Sequence, residues 1–337
     1  MAQTVVETPV VRAARAVRTG RAVGFALLRA AGVLLPVLLV ATFLTFLLGS
    51  LTGQDPASMV LGEDARPEDI ERMRGYFGLD RPLVIRYTDW LFAAFRGDLG
   101  QSWFTRIPVM DSIVARLPVS FAVAVFALVI GTVVGVVLGV AAALDNGGWV
   151  DRSVTTLASI LSTIPGFVAA VGLVVVFSVL VPVLPSGGYV PPEQDVGLWL
   201  RSILLPAVAL SLDPAADIAR QLRTGLVGTL QENYIVGATV RGLSRRRVVL
   251  VHGLRNGSGP ALALLGMHVP RLIGGAVIVE TVFALPGIGL LTKQAALQGD
   301  VPVVQGALFV SIILVVVSSA VVNVLLVVLR PHARRTV

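Results

Sequence analysis

The sequence predicts an all-α integral membrane protein of six transmembrane helices, and three observations carry that prediction. Only 14% of the residues are charged and 55% are hydrophobic, against roughly 25% charged in a soluble globular domain. Four long runs, 30–48, 117–144, 154–184 and 301–329, contain no charged residue at all. Arginine gathers beside a few short connections and is scarce at the others, the asymmetry that orients spans in a bilayer.

Crossing about 30 Å of hydrocarbon takes roughly 20 apolar residues at the helical rise. After a tail over 1–24, the first span lies within 25–49. Its apolar core exceeds the roughly 7 to 15 residues of a cleaved signal, so it reads as a retained anchor. An external loop over 50–116 follows, and the core over 117–329 supplies the other five spans before a tail over 330–337. The second and third spans are the charge-free runs 117–144 and 154–184; Pro165 inside the latter is tolerable where a neighbour satisfies the freed carbonyl. The fourth is the weakest, because 202–212 is too short alone and must continue through Asp213, Asp217, Arg220 and Arg223. The fifth, 256–279, contains only Arg271, and 301–329 is the sixth.

Arg12, Arg15, Arg18 and Arg21 precede the first span, Arg241 to Arg255 lie between the fourth and fifth, and Arg330, Arg334 and Arg335 follow the sixth. Basic connections are held on the cytoplasmic side. Six spans put all three there, with both termini inside; five would split them across the membrane.

Composition also excludes. Of 27 basic residues only Lys293 is a lysine, and it stands in Leu291-Thr292-Lys293-Gln294, outside any glycine-rich phosphate loop. The chain is therefore expected to bind no ATP and to be no enzyme. With no cysteine and three scattered histidines, His252, His268 and His332, thiol chemistry and a His/Cys zinc cluster are excluded and no cofactor or metal is expected. A net charge of +7 on so apolar a chain marks membrane orientation rather than nucleic-acid binding.

The external loop reads as folded. Arg66 to Met73 form a short helix with Pro67 in its first turn and acids near its positive end. Gly78-Leu79-Asp80-Arg81-Pro82 ends it, and the residues from Pro82 to Phe95 suit an amphipathic interfacial helix. Its simplest role is a cap over the bundle.

The cytoplasmic loop over 230–256 reads as helix, break, helix: an elbow. Gly242 closes the first helix in the left-handed conformation and Ser244 caps the second. Apolar Tyr234, Ala238, Leu243 and Leu250 beside Arg245, Arg246 and Arg247 suit docking into a groove on another protein, or the holding of anionic lipid.

These residues carry a resemblance. Tyr234-Ile235, Ala238, Gly242-Leu243-Ser244 and His252-Gly253-Leu254-Arg255-Asn256 are similar to the coupling loop of the dipeptide, oligopeptide and nickel permeases of bacterial ATP-binding-cassette importers. The Glu-Ala-Ala form found elsewhere among these importers is replaced, with Val236 and Gly237 where Glu and Ala would stand. Glu280 to Gly289, Gly97-Asp98-Leu99-Gly100-Gln101-Ser102 and Ile164-Pro165-Gly166-Phe167 also fit, and the long external loop resembles the B-type member of the permease pair. Two motifs depart from the pattern, at Gly53-Gln54-Asp55-Pro56 and Arg330-Pro331-His332.

The resemblance implies the transmembrane domain of a type I importer. It would pair with a homologous C-type permease, with two ATPase subunits inside that bind ATP and magnesium, a solute-binding protein outside and lipid around it. Tyr234, Ala238, Arg241, Gly242, Leu243, Ser244, His252, Leu254, Arg255 and Asn256 would make the coupling site, and a bulky Ala238 substitution would uncouple transport. The cargo would be a dipeptide or oligopeptide, with glutathione or a nickel chelate open.

Intramembrane charge marks a cavity or a partner. Asp213, Asp217 and Arg220 share one helical face and would either line the translocation path and meet a peptide's ammonium, or pair locally. Arg271 shares that ambiguity, while Glu280, at an external helix end, is a path candidate with a simpler structural role. His252 and His268 have no carboxylate at metal-binding sequence spacing. Two rivals stand beside the importer: a proton-driven transporter using Asp213, Asp217 and Glu280 as relay, and an external-loop enzyme using Ser102, Asp98 and Glu63, which lacks a histidine base there.

Overall fold

The computed structural model of the chain describes residue 32 and residues 35–51, 55–62 and 64–329. Both arginine-bearing tails, the first residues of the first span, Gly53, Gln54, Glu63 and the Arg330-Pro331-His332 motif lie outside the described residues. The described chain is helical: α1 (Leu35–Leu51), α2 (Pro56–Leu61), α3 (Pro67–Phe77), α4 (Leu83–Phe95), α5 (Val109–Leu144), α6 (Trp149–Thr163), α7 (Gly166–Val174) with a π-helical end (Val175–Leu180), and α8 (Val196–Leu230). Then follow α9 (Asn233–Val240), α10 (Arg245–Arg247), a π-helical turn (Val248–Gly253), α11 (Leu254–Gly257), α12 (Gly259–Val282), α13 (Ile288–Gln298) and α14 (Val301–Leu329). Among the described residues there is no β-strand, only the isolated bridge between Gln101 and Pro108.

Four helices, α5, α8, α12 and α14, are long and apolar enough to cross a membrane, and the bent pair α6–α7 makes a fifth candidate. One expectation is corrected. The third span is no single run over 154–184: it starts at Trp149 and turns by 103° between α6 and α7. Proline explains the break, because its ring bars the preceding residue from helical geometry and it has no N–H to give. Ile164 is accordingly extended (φ −77°, ψ 121°) and Pro165 opens α7. The fourth span, the weakest in sequence, is a continuous 35-residue helix that keeps Pro206 and Pro214 inside it. The Asp195 carboxylate caps its start, accepting from the Leu198 amide at 2.9 Å.

Packing along α5 holds the bundle together. Val119, Val123, Ala127, Gly131, Gly135 and Gly139 form a buried stripe, while Phe121, Val125, Val129, Val133 and Val137 form an exposed one. Steps of four place each set on one face, so one stripe packs within the chain and the other is left exposed on its outer surface. The glycines let α8 approach closely and run parallel to α5: a Cβ on Gly131 would meet Pro214, one on Gly135 Ala215 and Ile218, and one on Gly139 Ala219 and Leu222. In lipid, such close backbone packing replaces the hydrophobic drive that operates in water.

The 56–95 segment is helical as expected, with an extra helix, and its last helix packs on α1 and α14. Pro67, Glu68 and Asp69 start α3 and Gly78, at φ 65°, closes it. The unforeseen α2 is capped by Asp55, whose other oxygen accepts from Arg74 at 2.8 Å. Tyr87 of α4 donates to the Leu39 carbonyl and shares a hydrogen bond with Thr42, both at 3.0 Å, while Gln305 of α14 donates to the Thr42 carbonyl at 3.0 Å. In this buried setting each hydrogen bond removes a desolvation cost of about 1–3 kcal/mol.

A second tie fixes the loop before α5. Leu99 is buried against Val109, Ile113 and Ala307, and buried Ser102 donates to Asp300 at 2.5 Å. Asp300 also accepts from the Trp103 amide at 3.2 Å. Burial raises its carboxyl above the ordinary range, opposed by the hydrogen bond from Ser102 and those from backbone amides. Ser102 is thus bound to a structural carboxylate.

Candidate functional site

The charged residues of α8 and α12 meet at the bend of the third span. Asp213 stands midway along α8, Arg271 midway along α12, and the Ile164–Pro165 break midway along α6–α7, and the three come together around one cavity. Here a cavity of about 320 Å³ is lined by Ser162, Ile164 and Gly166 from the bend, Asp213 and Pro214 from α8, and His268, Arg271 and Gly275 from α12. Arg271 Nη1 lies 3.8 Å from Asp213 and 3.6 Å from Asp217. Arg220 pairs with Asp217 on its own helix and donates to Ser162 Oγ at 2.9 Å.

The local pairing read from the sequence is present at one end of this face. Asp217 and Arg220 do pair locally, and Asp213 and Arg271 line the cavity. His268 enters unforeseen: it is fully buried, its Nε2 lies 3.7 Å from Asp217, and neither ring nitrogen has a hydrogen-bond partner among the described residues. One ligand atom each from Asp213, Asp217 and His268 lie within 4.8 Å of one another, a donor set able to hold a cation. Sequence spacing hid this, since His268 stands 51 positions beyond Asp217 and helix packing alone joins them.

Glu280 stands apart from the cavity. It lies nine residues beyond Arg271 on α12, about 13 Å at the helical rise, and is fully buried. Its carboxylate accepts from Ser120 Oγ at 2.6 Å and from the Leu290 amide at 3.0 Å, while Ser120 Oγ accepts from the Ile288 amide at 2.8 Å. The pair caps α13 and pins it to α5. A side chain at Gly287 would collide with this carboxylate, and one at Gly289 with the Val277 backbone and then this carboxylate, which accounts for both glycines in the 280–289 motif.

A further ion pair, unforeseen in sequence, closes the other end. Arg223 of α8 donates to both oxygens of buried Asp151 at 2.8 and 2.6 Å and to Asn146 at 3.0 Å.

The elbow beyond α8 has the expected break. Gly242 takes φ 82°, its amide donates to Thr239 O at 2.9 Å, and the Leu243 amide reaches back to Ala238 O at 3.3 Å. This is a Schellman closure, in which the residue after the glycine packs on the helix's last turn; Leu243 does pack on Ala238. The Ala238-x-x-x-Gly242-Leu243 pattern is thereby a single structural unit.

That geometry corrects one expectation. Ala238 is buried with Ile235 and Val248 and so holds the elbow together, because it shares a face with Ile235 three residues earlier. The outward residues include Tyr234, Val236, Arg241 and, at 82% exposure, Val240. Ser244 contributes its carbonyl, which accepts from the Val248 amide at 3.0 Å. Of the remaining residues, Leu254 packs under α8 with Leu226, Arg255 is exposed, His252 is half-buried, and Asn256 donates to Tyr234 Oη at 2.8 Å.

The elbow is bound tightly to the bundle. Gly225 of α8 and Gly257 of α11 touch backbone to backbone, so a side chain at Gly225 would collide with the Gly257 carbonyl. Gly242→Val is expected to cost at least about 1–2 kcal/mol through its left-handed backbone. Limited proteolysis of the solubilised protein should then cut between 240 and 246 several times faster than in the parent; equal rates would contradict the closure.

Charged groups gathered midway along helices this apolar mark a cavity or a partner in a membrane protein, and sequence comparison places the chain among membrane transport proteins. Residues 135–335 match the binding-protein-dependent transport system inner membrane component family, and residues 23–124 match the N-terminal part of such membrane components. The chain belongs to this family, as a multi-pass protein of the cytoplasmic membrane. It is 38% identical over 300 residues to a Brucella abortus protein named as a peptide transport system permease, covering 89% of this chain and 96% of that one. It is 30% identical over 332 residues to the dipeptide transport system permease protein DppB of Escherichia coli K12, covering 91% and 98%. A Sinorhizobium fredii protein named as a peptide ABC transporter permease is 34% identical over 263 residues, covering 78% and 84%.

Proposed function

We propose that this chain is one of two permease subunits of an ATP-driven peptide importer in the bacterial cytoplasmic membrane. Its partners are a homologous C-type permease, two ATPase subunits that bind ATP and magnesium inside, and an external solute-binding protein. On this reading α1 completes a set of six spans, both termini lie in the cytoplasm, and this chain holds no cofactor. The peptide cargo follows the names of the relatives.

The observation that carries the reading is the elbow. Its Tyr234, Val240 and Arg241 surface faces outward while Gly225 and Gly257 bind it directly to α8. ATP-driven approach of the ATPases would pull each elbow, and α8 would pass that movement to the cavity. Alternating access of this kind needs only differential contacts in two states.

The test is a pulldown of the tagged chain with Val240→Asp, which buries a charge at the proposed interface while leaving the Ala238 core untouched. Recovery of the ATPases should fall at least tenfold, with the second permease still bound. Full ATPase recovery would place the docking surface elsewhere.

A further inference from the structure

We infer that the cavity at the bend of α6–α7 is a site for the two charged ends of a short zwitterionic peptide, with Asp213, backed by the neighbouring Asp217, taking the ammonium and Arg271 the carboxylate. The inference deepens the importer reading and rests on it.

In the structure the Arg271 guanidinium occupies the place between the two carboxylates, at 3.8 and 3.6 Å. Both distances exceed an ordinary hydrogen bond, so Arg271 stands as a loose internal cation. Asp217 keeps a second, direct partner in Arg220, which holds that carboxylate in position as Arg271 moves. Asp213 has about half of its side chain exposed and Arg271 somewhat more, leaving both able to turn towards a guest. An arriving α-ammonium, with three donors, fits the place that Arg271 fills and releases the guanidinium to take a carboxylate in a planar, two-point pairing. The N-terminal end of α7, whose Gly166 lines the same cavity, adds partial positive charge to that lining.

Charge balance decides between this ligand and a metal ion. Two aspartates face Arg220 and Arg271, so the group is neutral with His268 uncharged. A zwitterion leaves it neutral. A divalent cation bound to Asp213, Asp217 and His268 would add two positive charges beside two guanidiniums, which their like charge opposes. His268, fully buried with both nitrogens unpartnered, supplies a polar ring beside Asp217 for a guest with donors. The cavity, about 320 Å³, lies at the small end of ligand pockets, about 300–1,000 Å³, and suits a dipeptide better than a long chain.

The experiment is saturation-transfer NMR on the purified four-subunit complex without binding protein, with dialanine as probe. N-acetyl-dialanine, which lacks the ammonium, and dialanine amide, which lacks the carboxylate, are the controls. Asp213→Asn, Arg271→Gln and Arg271→Lys are compared at equal subunit stoichiometry, so that a variant that fails to assemble is recognised. Dialanine should give saturation transfer, each blocked analogue at least fivefold less, and Asp213→Asn and Arg271→Gln a similar loss, with partial recovery in Arg271→Lys. Equal signals from dialanine and its blocked forms, no dialanine signal in the parent, or unchanged binding in both variants would overturn the site. So would zinc binding by calorimetry at one ion per permease that Asp213→Asn abolishes. ATP-driven dialanine uptake that persists unchanged in the variants would leave the importer reading intact and refute this site alone.

Discussion

Gly135→Leu is expected to stop the protein from accumulating as a folded bundle. A Cβ at this position would lie 2.8 Å from the Ala215 carbonyl oxygen and 2.8 Å from Ile218 Cβ, and the first of these is backbone that cannot turn aside. The added side chain must then push α5 and α8 apart along the stripe from Gly131 to Gly139. Overpacking ordinarily costs about 1–3 kcal/mol, and here it also forfeits the close packing on which helix association in lipid depends. Monodisperse yield on size-exclusion chromatography should fall at least about tenfold. Val133→Leu, on the exposed stripe, should behave as the parent. Equal yields for the two variants would refute the assignment of faces.

Glu280→Ala carries the second large effect, and its reason is polar. The carboxylate is fully buried and accepts from Ser120 and the Leu290 amide. Its removal leaves those donors without an acceptor and opens a void between α5, α12 and α13. Buried unsatisfied donors cost about 1–3 kcal/mol each, so a total of about 3–4 kcal/mol lowers the unfolding midpoint of the solubilised protein by roughly 10 °C. Glu280→Gln, which keeps the volume and one acceptor, should lose less than half of that. A small, equal shift for both variants would remove Glu280 from its capping role.

What the sequence showed and what it hid follow from the range of each interaction. Charge-free runs, Pro67 at the start of α3, Gly78 at its end and Gly242 in the elbow are local signals, and each appears where local physics puts it. Pro165 announced a break, yet the 103° turn depends on what packs against α7, which no periodicity records. Asp151 with Arg223, Ser102 with Asp300 and Asp217 with His268 are joined only by helix packing, across 72, 198 and 51 positions respectively. Ala238 shows the same limit at short range. Its place in the motif was legible, but Ile235, Leu243 and Val248 decide that it faces inward.

The structure also separates residues that a proton relay would need together. Asp213 and Asp217 face Arg271, whereas Glu280 is bound to Ser120 and the start of α13. The carboxylates thus stand in two separate places, one at the cavity and one at a helix cap. An ATP-driven cycle asks nothing more of Glu280.

The most direct measurement of the central claim is uptake of labelled dialanine by proteoliposomes containing the four-subunit complex, with ATP inside, binding protein outside and a protonophore added. The account predicts accumulation that requires both ATP and the binding protein and survives the protonophore. Uptake by this chain alone, without ATP and abolished by the protonophore, would contradict it.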